Sequence, residues 1–220
     1  MVTLHHFYRS SASFRVRIAL NLKKISYEQI VHDLDAGAQR SPAYLSVNPQ
    51  GLLPTLTVGR EVLTQSAAIL EFLESTCPDP PLLPPTPMEQ ARVRALFQIV
   101  AADTHPITTL RVARYLKTVI GCDEPTIHHW KQHWLIDGLT ALEDMLASDP
   151  ATGRFCHGDR VSLADVALVP QVVSALKLGV IVEAFPTVAR IHEHCMQMDA
   201  FRDAHPDACQ FQQPVQAIKE

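Results

Sequence analysis

The sequence predicts an α/β plus all-α protein: a mixed four-stranded sheet with helices, followed by an all-helical part. Three observations carry this. In residues 1–77, short strand-like runs alternate with helical ones. Residues 78–87 then hold six of the sixteen prolines, which excludes helix and central strand and reads as a stiff, extended connector. In residues 88–220 the apolar side chains recur at helical spacing.

Val2–Phe7 reads as the first strand. A hydroxyl-rich turn, Ser10-Ser11-Ala12-Ser13, then opens an amphipathic helix over 13–23, in which Val16, Ala19, Leu20 and Leu22 alternate with Arg15, Arg17, Asn21 and Lys23. Tyr27–His32 is a second strand, and a short helix is expected near Ser41–Ser46. Thr55–Val58 and Glu61–Thr64 are brief strands separated by Gly59-Arg60, a hairpin signal. Ser66–Thr76 reads as a helix capped by Ser66. The order β-α-β-α-β-β-α is that of a thioredoxin-like domain, with Pro54, just before the third strand, a candidate for a cis bond.

Beyond the connector, a helix from Met88 to Leu116 should be kinked or divided by Pro106. Glu124–Ala147 is a second long helix. Ser162-Leu163-Ala164-Asp165 has the form of a capping box opening a third, bent at Pro170. Phe185–Met198 is the last clear helix, and the tail after Phe201 is expected to be loosely ordered.

Composition narrows the function. A formal charge of -4, with no basic stripe interleaved with aromatics, argues against nucleic acid. No apolar run approaches the roughly 20 residues of a membrane span. Five scattered cysteines form no framework, so a reducing cytoplasm is expected. His129 and His133 share a helix face but lack a third ligand, and no metal is expected. Met1–Tyr27, by contrast, carries five Lys or Arg and no acid. A serine turn at a helix N-terminus in that positive field is suited to an anion: carboxylate, phosphate or thiolate.

Ser10-Ser11-x-Ser13-x-Arg15-Val16-Arg17-Ile18-Ala19-Leu20 resembles the signature S-S-C-x-x-R-V-R-I-A-L of zeta-class glutathione transferases. Asn48-Pro49-Gln50-Gly51-Leu52-Leu53-Pro54-Thr55-Leu56, Gln65-Ser66-x-Ala68-Ile69 and Leu168-Val169-Pro170-Gln171-Val172 match the class in the same order. The resemblance implies the cytosolic glutathione transferase fold, with a glutathione-binding domain (1–77), a linker (78–87) and a helical domain (88–220), assembled as a homodimer. It implies glutathione as cofactor, held by Gln50, Leu53, Pro54, Gln65, Ser66 and His105. Ser10 is the first choice to donate to the sulfur and Ser11 the second. Arg9 is the candidate for stabilising developing charge, and Arg9, Arg111 and Lys177 are the candidate carboxylate anchors.

The implied activity is that of the maleylacetoacetate and maleylpyruvate isomerases, in aromatic amino acid or gentisate catabolism. A thiolate adds to the cis double bond of a keto diacid, the new single bond rotates, and the thiolate leaves. Ala12 stands where the signature has Cys, so no side-chain thiol acts there. The alternatives are a transferase conjugating or dehalogenating small α-halo acids, and a non-catalytic dimerisation module.

Overall fold

Alternation of strand and helix in the first eighty residues builds a four-stranded sheet of order β2-β1-β3-β4 in the computed structural model, which describes residues 1–209. Strand β1 (Val2–His6) pairs in parallel with β2 (Glu28–Val31). It pairs antiparallel with β3 (Thr55–Val58), which turns at Gly59 (φ 62°) into β4 (Glu61–Thr64). The parallel pair needs a crossover, supplied by helix α1 (Ser11–Leu22). A short helix α2 (Pro42–Leu45) follows β2, and α3 (Ser66–Thr76) follows β4.

Helix α1 is not amphipathic in place. Every residue from Ala12 to Leu20 is buried, with Arg15 at 1% and Arg17 at 0% exposure. The helix packs on α3 and on α10 (Asp199–Arg202), part of a segment that returns from the end of the chain. That segment is ordered to the last described residue, with Phe201 and Ala204 buried and a final turn α11 at Pro206–Cys209. The expectation of a loose tail after Phe201 fails over 202–209, which cover α1, and for 210–220 it lies outside the described residues. The chain accordingly divides into one unit of Met1–Pro81 with the segment from Met198, and a second of Leu82–Gln197. Lys23, expected on the solvent face, is also buried. Its Nζ meets Glu74 at 2.8 Å and donates to the carbonyls of Cys77 (2.6 Å) and Pro80 (3.0 Å), where α3 ends.

In the second unit, α4 (Pro87–Gln98) opens with a Thr86/Glu89 capping box. Pro106 acts as expected, with more detail than a kink. A wide π-helical turn occupies Ile99–Thr104, followed by α5 (His105–Thr108), a break at the extended Thr109, and α6 (Leu110–Tyr115). Proline has no N–H to give the preceding turn and its ring crowds the carbonyl four residues back, so that turn widens. Thr104 Oγ donates to Ile99 O at 2.9 Å and sits where a Cβ on Gly138 would come within 2.2 Å of it. This is why a glycine is tolerated inside α7 (Glu124–Ser148). Helix α8 (Leu163–Lys177) is buried without interruption from Leu163 to Val173, packed by α4, α7 and α9 (Pro186–Met196). An apolar surface on all sides marks a central helix.

Candidate active site

Ser10 is the N-cap of α1. The Ser13 N–H donates to its Oγ at 3.2 Å, and its own N–H donates to Phe7 O at 3.0 Å. Capping uses one lone pair and leaves the hydroxyl proton to be given to something else. Ser10 and Ser11 are both half-buried at the positive end of a 12-residue helix, so an anion placed there meets a hydroxyl donor and the helix dipole together. Arg9 lies beside them, exposed. It is ion-paired with Asp35, and its guanidinium stands 5.3 Å from the Phe7 ring centre and 5.7 Å from that of Tyr8.

The Leu53–Pro54 peptide is cis. The carbonyl before it, Leu52 O, accepts from Tyr44 Oη at 2.7 Å and Asn48 Nδ2 at 2.9 Å. Thr55 Oγ1 meets the same two groups at 2.8 and 3.2 Å. This buried knot of Tyr44, Asn48 and Thr55 fixes the segment around Leu53. Among the described residues the Leu53 N–H and C=O have no partner, so the peptide presents the donor and acceptor that an added extended strand requires.

Gln65 stands before α3 with φ 67°, a region non-glycine residues seldom occupy, and its Nε2 donates to Gln50 Oε1 at 2.8 Å. Ser66 is not the cap of α3, as the sequence suggested, but its first residue; its Oγ accepts from Arg15 Nη1 at 3.2 Å. Removal from water lowers the Arg15 pKa to about 10, so the guanidinium remains charged at neutral pH. The start of α3 thus has a buried cation behind it. The sequence places Arg15 on the polar side of an amphipathic helix and does not reveal this role. Spacing within α1 carries no signal of it, because the group that meets Arg15, Ser66, lies 51 residues further along the chain.

The remaining candidates belong to the second unit. His105 is half-buried at the start of α5, and Arg111 on α6 and Lys177 at the end of α8 are exposed. On α7, His129 and His133 are exposed, with the His133 ring 4.9 Å from that of Trp134. Among the described residues no group of three or more His, Cys, Asp or Glu is placed to hold a metal, and no helix is long and apolar enough to cross a membrane.

Three histidines on β1 and just after β2 set an acid limit on the stability of the first unit. His6, buried and beside Arg17, has its pKa lowered to about 3, first by burial and then by that charge. His32 is lowered to about 4 by burial and by His5, whose Nδ1 lies 3.0 Å from His32 Nε2; burial lowers His5 as well. All three are neutral in the fold at pH values where an unfolded imidazole, titrating near 6.5, takes up a proton. Their stabilisation is therefore complete above about pH 6.5 and is lost as the pH falls toward 4 and 3. The melting temperature should decline steadily below about pH 6. A flat profile down to about pH 4 would contradict this assignment.

Residues 9–76 match the glutathione S-transferase N-terminal domain model and residues 132–194 the C-terminal domain model. Maleylacetoacetate isomerase of Rhizobium meliloti (strain 1021) is 47% identical over 204 residues, spanning 93% of this chain and 95% of that protein. The holo structure of a bacterial zeta-class maleylpyruvate isomerase superposes with a TM-score of 0.92 at 43% identity, over 98% of this chain and 100% of that one. Maleylacetoacetate isomerase from Methylobacterium extorquens AM1, solved with malonate and glutathione bound, has a TM-score of 0.92 at 45% identity, over 94% and 97%. Near full-length likeness, on a fold and a serine turn already described, makes this chain a member of the glutathione S-transferase family, in the zeta class that holds the maleylacetoacetate and maleylpyruvate isomerases.

Proposed function

We propose that the chain is a glutathione-dependent cis–trans isomerase of a keto diacid, converting maleylacetoacetate or maleylpyruvate to the fumaryl isomer. The observation that carries this is the Ser10 cap, whose hydroxyl proton is left over for a sulfur anion at the start of α1. Glutathione fits the other residues of the first unit. Leu53 offers an unpaired amide and carbonyl for the cysteinyl backbone. The start of α3, with Gln65, Ser66 and the buried Arg15 behind it, suits the γ-glutamyl carboxylate, and Gln50 braces Gln65.

When bound, glutathione supplies a thiolate that adds reversibly to the cis double bond and leaves unchanged. Ser10 donates to the sulfur and so lowers its pKa, with Ser11 next in line. Arg9, Arg111 and Lys177 supply cationic anchors for the two carboxylates and for developing enolate charge, and His105 contacts glutathione. Ala12 leaves the thiol chemistry to the bound tripeptide alone. The malonate and glutathione held together by the Methylobacterium relative are a dicarboxylate and a thiol, the pair this reading requires.

An ultraviolet assay of both substrates, each with and without glutathione, tests the proposal. Turnover of either one only in the presence of glutathione is expected. Loss of halide from an α-halo acid with no isomerisation would favour the conjugating alternative, and inertness toward both would favour the dimerisation module. Arg111→Ala should raise KM for the diacid about tenfold and leave the pKa of the bound thiol alone; an unchanged KM would move the anchor to Arg9 or Lys177. We further assign a homodimer in the cytoplasm. Met88, Leu110 and Tyr115 leave apolar surface exposed along 88–115, and a single-chain mass by light scattering at micromolar concentration would overturn the dimer.

A further inference from the structure

The Arg17 guanidinium is fully buried and is surrounded mainly by backbone carbonyls. Its Nε and Nη2 both donate to Ala204 O, at 3.0 and 2.9 Å. Nη2 also donates to Tyr8 O at 3.0 Å, and Nη1 to Phe7 O at 3.3 Å. Nη1 meets His6 Nδ1 at 3.3 Å; since Arg can only donate, that nitrogen is the acceptor. The Phe14 ring centre lies 5.4 Å from the guanidinium carbon, and the Cys209 thiol and the Tyr27 hydroxyl are also nearby. One side chain therefore joins the connection between β1 and α1 to the segment returning from the end of the chain.

The Phe7 carbonyl has two donors, Arg17 Nη1 and the Ser10 N–H. The turn that presents Ser10 therefore closes on an oxygen that Arg17 holds, and Tyr8, the next carbonyl toward Ser10, is held too. We propose that Arg17 is a positioning residue for the serine turn, bracing Phe7 and Tyr8 against the returning segment at Ala204 so that the Ser10 hydroxyl stays aimed at the bound sulfur. The returning segment is then part of the thiol-activating apparatus, although it supplies no group to the reaction. Asn21 adds a second tie to the same segment, Nδ2 donating to Ala200 O at 3.1 Å. Guanidinium geometry matters because one planar fork reaches three carbonyls at once, whereas an ammonium is a single point of charge.

This rests on Ser10 being the donor to glutathione, so the test begins with the wild-type chain. Wild type should bind glutathione with its thiol pKa lowered, read by thiolate absorbance; failure to bind would overturn the functional reading together with this inference. In Arg17→Gln the bound thiol pKa should rise and kcat should fall by about tenfold or more, with partial recovery in Arg17→Lys. Affinity for S-methylglutathione, which has no thiol to activate, should stay within about threefold, a split that general loosening of the fold would not produce. A folded Arg17→Gln chain with wild-type thiol pKa and kcat overturns the inference alone. Should Arg17→Gln not fold, Asn21→Ala decides. It loosens the same segment from a half-buried site and should shift the thiol pKa in the same direction by less, and no shift overturns the proposal.

Discussion

Replacing Ser10 with alanine should cut isomerase turnover by about 10²-fold or more, the usual scale for losing one positioned donor. Two functions of the side chain are lost together. As N-cap it accepts from the Ser13 N–H, and alanine forfeits about 1 kcal/mol of stability there. As donor it holds the sulfur anion, and without it the bound thiol pKa should rise, leaving less thiolate at neutral pH. Ser10→Gly separates the two. Glycine costs only a few tenths of a kcal/mol at a cap, yet it lacks the hydroxyl, so turnover should fall as in Ser10→Ala while the melting temperature barely moves. KM for the diacid should change little in either variant, because the carboxylate anchors are elsewhere. Near-normal turnover in both variants would transfer thiol activation to Ser11 or to the backbone amides at the start of α1.

The largest stability loss is expected at Asp165. This carboxylate is fully buried; it accepts from the Cys156 N–H at 2.8 Å through one oxygen and from the Ser162 N–H and Oγ, both at 2.8 Å, through the other. Burial raises its pKa and the backbone hydrogen bonds oppose that rise. In Asp165→Ala three buried donors lose their acceptor, at about 1–3 kcal/mol each, so a loss of at least about 3 kcal/mol is expected. That is a large part of the margin of about 5–15 kcal/mol that holds a folded domain. Because α8 is the central helix of its unit, loss of its start should spread to α4, α7 and α9 rather than fray locally. Urea unfolding should show a lower midpoint, with Ser162→Ala milder since Asp165 keeps two of its three donors. A loss below about 1 kcal/mol in Asp165→Ala would mean the loop at Cys156 reorganises to satisfy itself.

The sequence by itself determined what depends on neighbours along the chain. A glycine-containing gap of two residues sets the bounds of β3 and β4. A serine three places before an aspartate starts α8, proline at 106 divides the helix it interrupts, and four ordered motifs carry the family and its glutathione-binding segments. Each of these is local: a turn conformation, a cap or a missing N–H acts within a few residues.

Tertiary structure alone decided the surroundings of the two arginines in α1. Their helical alternation with apolar residues suggests a solvent face. That face is instead covered by Ser66 on one side and by Ala204 on the other, 51 and 187 residues further along the chain. The left-handed backbone at Gln65 and the order of residues 202–209 were hidden for the same reason. Periodicity reports which residues share a face, but what packs on that face is set by chain segments distant in sequence. A buried cation becomes tolerable only where those segments bring hydroxyl and carbonyl oxygens to meet it.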